Sequence, residues 1–249
     1  MLTRRNVQMV VAAVVALVAA LPAHAQSSGD GFLFHRPDAR ISVRGGYAVA
    51  SAGSDLFDFA TENLTLKKSD FSGLSLGAAL DVTATDRVSF TVDAGYSRSK
   101  KGSEFRNLID NNDLPIEQTT TFERVPLTAN VKLYLSPPGQ SVGSAAWIPA
   151  RIAPWVGVGG GAMHYRFLQN GDFVDFKTNN VFRSTFDSNG WAPVLQGMAG
   201  AEFSITPSLA LTGDARYLWA KGDLGTDFGG FNKIDLSGAS ASIGLSLRL

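Results

Sequence analysis

The chain contains no cysteine, and that absence removes a disulfide framework, a thiol nucleophile and every zinc site built on thiolates. Histidine is scarce, 3 in 249 residues, so imidazole chemistry has few places to stand. Neither sign of charge prevails, with 22 Lys and Arg against 22 Asp and Glu. Basic residues run no further than pairs such as Arg4-Arg5 and Lys67-Lys68, so no nucleic-acid partner is expected. Beyond the first 25 residues, no apolar run reaches the ~20 residues of a membrane-crossing helix. What the chain does have is 45% apolar residues against 18% charged, with 26 Gly and 16 Phe. That is enough apolar material for a sizeable core, and the composition is not that of a disordered chain.

The N-terminus reads as a leader. Arg4 and Arg5 precede an apolar stretch from Met9 to Leu21, and Ala23-His24-Ala25 offers a small-x-small cleavage site. Residues 1–25 are therefore expected to be a secretory signal peptide cut after Ala25. Thr3-Arg4-Arg5 faintly suggests the twin-arginine route, but no cofactor is expected that would require export in a folded state.

From Arg40 onward the dominant period is two, the mark of half-buried strands. Eight runs follow: 40–50, 71–83, 88–98, 119–135, 152–167, 191–205, 209–221 and 234–249. Long polar segments (51–70, 99–118, 168–190, 222–233) alternate with shorter connections (84–87, 136–151, 206–208). One face of these runs is apolar and uncharged, as in Val43, Tyr47, Leu74, Leu80, Val92, Leu127, Leu195, Leu211 and Leu245. The other carries Gly, Ala, Ser and Thr, with Arg40, Arg44, Asp81, Asp93, Arg124, Lys132, Glu202, Asp214, Arg216 and Arg248 among them. A soluble ligand-binding barrel would turn the apolar face inward, whereas a membrane barrel turns it toward lipid. Small polar residues suit a crowded lumen better than a solvated surface, and aromatics such as Tyr47, Tyr96, Tyr217 and Trp219 sit near strand ends where interfacial girdles belong. The fold expected is all-β: an eight-stranded antiparallel up-and-down transmembrane β-barrel.

The leader, the eight amphipathic strands, the alternating loops, Pro154-Trp155-Val156-Gly157-Val158-Gly159 and the closing Ile243-Gly244-Leu245-Ser246-Leu247-Arg248-Leu249 carry a resemblance. The chain resembles the small outer-membrane β-barrel proteins of Gram-negative bacteria, the group of outer-membrane proteins A, X and W. The resemblance implies a location in the cell outer membrane, contact with outer-membrane lipids, the long loops outside, and recognition of the last strand by the barrel-assembly machinery. It also implies a periplasmic N-terminal segment at 26–39 and a barrel at 40–249. Members usually end in Phe or Trp, whereas this chain ends in Leu249. Such barrels serve as anchors, adhesins, small channels or lipid-modifying enzymes, so the architecture does not name the activity.

Local features refine these expectations. Val156 and Val158 share one parity while Met163, Tyr165 and Phe167 share the other, so a β-bulge at Gly159-Gly160-Gly161 would put both groups toward lipid. That triplet lacks the Lys-Ser/Thr and helix of a phosphate-binding loop. His164 could act as a base only with Ser184 or Ser188 brought to it, and no His-x-Ser pair is present. An interfacial role beside Tyr165 and Arg166 is the simpler expectation, and no catalytic residue is assigned. Asp110-Asn111-Asn112-Asp113 lacks the Gly and Glu of a calcium loop, so no metal site is assigned either.

The charges at mid-strand on the polar face, Arg44, Asp93, Lys132, Glu202, Asp214 and Arg216, would share one narrow lumen. Counting from the turns sets Asp93 near Lys132 and Glu202 near Arg216, a salt-bridged plug. Asp55–Asn63 and Asp172–Asn180 match at Asp, Asp, Phe, Thr and Asn, which suggests either a four-plus-four duplication or convergence. Phe57, Phe59, Phe173 and Phe176 make the first and third loops unusually apolar, for a self-packed cap or for an extracellular ligand. The function expected is a structural or surface-interaction barrel with a plugged lumen. A small-solute channel stands second and a lipid-modifying enzyme third, and no enzyme activity is expected.

Overall fold

The computed structural model describes residues 31–110, 113–143, 146–175, 178 and 180–249, so the leader expected at 1–25 lies outside the described residues. The strands are β1 (Ala39–Ala50), β2 (Gly73–Thr83), β3 (Val88–Ile109), β4 (Pro115–Tyr134), β5 (Gly139–Val142), β6 (Ala146–Pro149), β7 (Ile152–Val174), β8 (Val181–Ser204), β9 (Leu209–Gly222), β10 (Ile234–Asp235) and β11 (Gly238–Arg248), with one helix, α1 (Asp55–Asn63). Eight of them close a ring in the order β1, β2, β3, β4, β7, β8, β9, β11, every pairing antiparallel, with β11 returning to β1 from Arg40↔Arg248 to Ala50↔Gly238. The ring has no free edge, which is what lets strands stand in lipid with their backbone polar groups paired.

The alternation sorts the residues as a membrane barrel requires. Leu74, Leu195 and Val158 are 76%, 66% and 67% exposed on the outside, while Arg40, Asp81, Asp93, Arg124, Glu202 and Arg248 are buried inside. A soluble barrel would have the reverse arrangement.

The expected bulge in the fifth barrel strand does not exist. Pairing of β4 with β7 is continuous from Gln118↔Gly171 to Tyr134↔Trp155, and that of β7 with β8 from Ile152↔Phe203 to Val174↔Val181. Met163, Tyr165 and Phe167 therefore point into the lumen and are fully buried. The parity change that suggested a bulge instead marks the height at which the lumen turns from polar to apolar. Glycine is required here for close packing of the wall: a Cβ at Gly159 or Gly161 would collide with the Ala129 or Leu127 carbonyl of β4.

The second and third long loops are also largely strand. β3, β4, β7 and β8 run for 22, 20, 23 and 24 residues, against 12, 11, 14 and 11 for β1, β2, β9 and β11. Above the apolar band the outward face no longer meets lipid, so apolar alternation lapses while backbone pairing continues. The last strand is shorter than expected. Ile234–Asp235 pairs with the end of β9, and β11 begins only at Gly238. At the opposite end, hairpin β5–β6 carries Trp147, whose backbone exchanges hydrogen bonds of 2.7 and 2.9 Å with Leu33 and ties the N-terminal segment beneath the barrel.

Leu245 lies at mid-strand on the outward face of β11. Leu245→Arg should lower the unfolding free energy in lipid by about 2–4 kcal/mol, as a charge at mid-membrane depth does. The same change at Thr119, on the outward face of β4 above the band, should be close to neutral.

Candidate functional site

The interior is the densest collection of chemistry in the protein, and it is built in layers. At the end near Arg248, the Tyr134 hydroxyl donates to Glu202 Oε1 at 2.5 Å and accepts from Arg40 Nη1 at 2.9 Å. Arg248 Nη2 lies 3.6 Å from Glu202 Oε2, and its guanidinium stands over the Trp147 ring. One step in, Lys132 Nζ meets Asp81 Oδ1 at 2.7 Å and stands 4.6 Å from the centre of the Trp155 ring, while the Thr91 hydroxyl donates to Asp81.

The middle layer is a chain of ion pairs across the lumen. Arg44 Nη2 lies 2.7 Å from Asp93, Arg216 Nη1 lies 3.2 Å from the same carboxylate, and Arg216 donates from both Nε and Nη2 to Asp214 Oδ2 at 2.9 and 2.8 Å. The Ser242 hydroxyl completes Asp214 at 2.8 Å. Gln196 Nε2 then donates to Thr128 Oγ1 and Asn130 Oδ1. All six charges picked from the sequence are thus inside and engaged, but with other partners than expected. Asp93 lies opposite Thr128 on β4, and Lys132 lies opposite Ser89, four residues further along. Glu202 lies opposite Thr212 and Arg216 opposite Met198, again four residues apart. The register therefore gives Lys132 to Asp81, Asp93 to Arg44 and Arg216, and Glu202 to Arg40, Arg248 and Tyr134. Arg40, Asp81 and Arg248 belong to the network, a role their polar-face positions could have signalled.

Above this belt the lumen becomes apolar. Helix α1 lowers Leu56, Phe57 and Ala60 into the mouth, where they meet Phe71, Phe122, Met163, Tyr165, Phe167, Phe228, Ile234 and Leu236. The Phe57 ring centre lies 4.6 Å from that of Phe71 and 5.7 Å from that of Phe167. Asp55, at the head of α1, accepts from the backbone and side chain of Asn232 at 2.9 and 2.8 Å and clasps the first loop to the fourth. Those bonds, the backbone N–H of Asn232 foremost, hold the Asp55 carboxyl below its ordinary range.

The family model for the outer membrane protein beta-barrel domain matches residues 12–248. The chain belongs to this family. Its place is the outer membrane, and its outward apolar band faces that lipid. Among solved structures it is similar to the outer membrane protein OprG of Pseudomonas aeruginosa (14% identity, 86% of this chain and 97% of that one, TM-score 0.47). It is likewise similar to Neisserial surface protein A (13%, 90% and 100%, 0.43) and to outer membrane protein W of E. coli (16%, 86% and 100%, 0.38). No curated protein matches.

Against this family background the aromatic loop residues take unexpected places. Phe57 is fully buried in the mouth, and Phe173 is buried against Phe182 and Phe186, so neither offers a surface. Phe59 stays 37% exposed on Phe231, and Phe176 lies outside the described residues. The first loop packs with the fourth: Leu56, Phe57 and Ala60 meet Phe228, Ile234 and Leu236 in the mouth, and Phe59 meets Phe231. The suspected duplication fails on backbone path: 55–63 is helical, whereas 172–174 is strand. The strand's inward residues must line the wall, so shared residue types there serve a different geometry.

His164 faces outward with its ring 5.3 Å from that of Trp191, while Ser188 is buried on the inner side of the wall. The wall separates them, and Ser184 pairs seven residues further up β7, at Gly171. Asp110 and Asp113 cap the β3–β4 tip, with Asn111 and Asn112 outside the described residues. Among the described residues no group of three His, Cys, Asp or Glu could hold a metal.

Lys132→Met leaves Asp81 buried without its cation and should cost about 3–5 kcal/mol in unfolding experiments in lipid. Adding Asp81→Leu should recover part of that loss, since no orphan charge remains, whereas adding Asp93→Leu should not.

Proposed function

We propose that this barrel is a structural and surface-interaction protein of the outer membrane whose lumen is held shut. The observation that carries this is the double closure: the Arg44–Asp93–Arg216–Asp214 chain spans the lumen, and Phe57 fills the mouth above it. A solute would have to part buried ion pairs and lift α1, while eight strands leave little room beyond the side chains. Contact with the surroundings falls to the tall β3–β4 and β7–β8 hairpins. Their exposed Ile109, Leu114 and Phe182 are the parts suited to an extracellular ligand or a neighbouring surface.

Residues 1–25 serve as the export leader, and the terminal strand through Leu249 is what the barrel-assembly machinery engages. No side chain is given a catalytic role. A small-solute channel is the competing function, and conductance separates the two. In planar bilayers the wild type should show only rare, small openings. Replacing residues 55–63 by a Gly-Ser linker should leave conductance low, because the ion-pair belt remains. Adding Asp93→Ser and Arg216→Ser should open a steady pore. A steady pore in the wild type would move the channel to first place.

A further inference from the structure

On the outward wall of the four tall strands the apolar band ends along one row. Val125, His164 and Trp191 are paired in register across β4, β7 and β8, and Trp191 is 56% exposed on the lipid side. Two residues further up, the same wall reads Arg98, Glu123, Arg166 and Asn189, again in register from β3 to β8. The next outward row sets Lys100 beside Thr121 and Leu168. The change from apolar to charged falls at one height on adjacent strands, which is the level of the lipid head groups at the edge of the band.

These side chains border an open cleft of about 430 Å³ lined by Arg98, Lys100, Thr121, Glu123, Arg166 and Leu168 among others. The neighbouring carboxylates do not use up its donors. Arg98 Nε lies 3.1 Å from Glu123 Oε1, and its Nη groups have no acceptor among the described residues. Arg166 gives Nε and Nη2 to Asp187 at 2.9 and 2.8 Å, which leaves Nη1 over. Lys100 is exposed and makes no ion pair among the described residues. Higher on the hairpins the sign reverses. Glu104 stands opposite Glu117, and with Asp172 they line a second cleft in which Arg183 is the one cation. An anion approaching from solution therefore meets carboxylates first. One that travels in the membrane plane, with its acyl chains on the apolar wall below, meets the cations directly.

We propose that this cleft binds the phosphate of an anionic membrane lipid in the leaflet that borders the long hairpins, with Arg98, Lys100 and Arg166 donating to the phosphate oxygens and the acyl chains lying against the apolar wall below. Such donors form strong charge-assisted bonds to phosphate, and their long stems lie along apolar surface while the heads reach the interface. The site lies wholly on the outer wall, so it holds whether the lumen is shut or conducts.

Dioleoyl phosphatidic acid is the probe, and dioleoyl phosphatidylcholine, with the same chains and no net charge, is its control. Native mass spectrometry of the full chain in detergent should show one phosphatidic acid retained in clear preference to phosphatidylcholine. At a factor of about five for each cation near a charged head group, Arg98→Gln with Lys100→Gln should weaken phosphatidic acid binding roughly 20-fold. Lys221→Gln, an exposed lysine on β9 away from the cleft, should leave the preference intact. A millimolar excess of inorganic phosphate should not displace the lipid, because it lacks the chains. Equal retention of the two lipids by the wild type, full preference in the double variant, or an equal loss in Lys221→Gln would overturn the site. Complete displacement by inorganic phosphate would overturn its assignment to a lipid. The comparison of the two lipids needs no variant, so it decides the matter even if the double variant fails to assemble.

Discussion

Closing eight strands into an edgeless ring leaves a lumen so narrow that every inward side chain must be satisfied by another inward side chain. Most features of this protein follow from that constraint. In lipid the ring cannot open to let water reach a stranded charge, and the outward parity cannot accept the charge instead. Asp81, Asp93, Glu202 and Asp214 each have at least one cation within 4.0 Å, and the hydroxyls of Thr91, Tyr134 and Ser242 add hydrogen bonds to Asp81, Glu202 and Asp214. Removing one member leaves the others worse placed than removing a pair would, which is why such a network behaves as a unit.

The same constraint explains the change of character along the axis. Near the membrane centre, inward residues are polar because they have only one another. Near the mouth, the first and fourth loops can reach in, so Met163, Tyr165 and Phe167 find Phe57, Phe228 and Ile234 as partners and apolar side chains become the better filling. Burial of that cluster fixes α1 in the mouth, and the Asp55–Asn232 bonds fasten its exposed side. With the interior taken up by its own side chains, the function we propose places contact with other molecules on the long hairpins of β3–β4 and β7–β8.

How much of this the sequence displayed follows from which residues have neighbours of one kind. Strand number, parity and the lipid-facing side were legible, because alternation reports a wall with lipid on one side. Pairing within the lumen was not, since counting from turns ignores the four-residue offset that sets Lys132 against Asp81 rather than Asp93. The upper halves of β3, β4, β7 and β8 were read as loops because strand pairing in water needs no alternation. Met163, Tyr165 and Phe167 suggested a bulge because nothing local reveals that the first and fourth loops, distant in sequence, will drop in to cover them. The burial of Phe57 was hidden for the same reason.

The absence of cysteine supplies the most direct test of a lumen closed from both sides. A single cysteine at Ser97, which lines the space between the ion-pair belt and the plug, can be challenged with a membrane-impermeant thiol reagent in reconstituted vesicles. A cysteine at Thr185, on the part of β8 that stands above the band, serves as the exposed control. The account predicts rapid labelling at 185 and none at 97 until the barrel is denatured. Labelling at both positions at similar rates in the folded protein would contradict it.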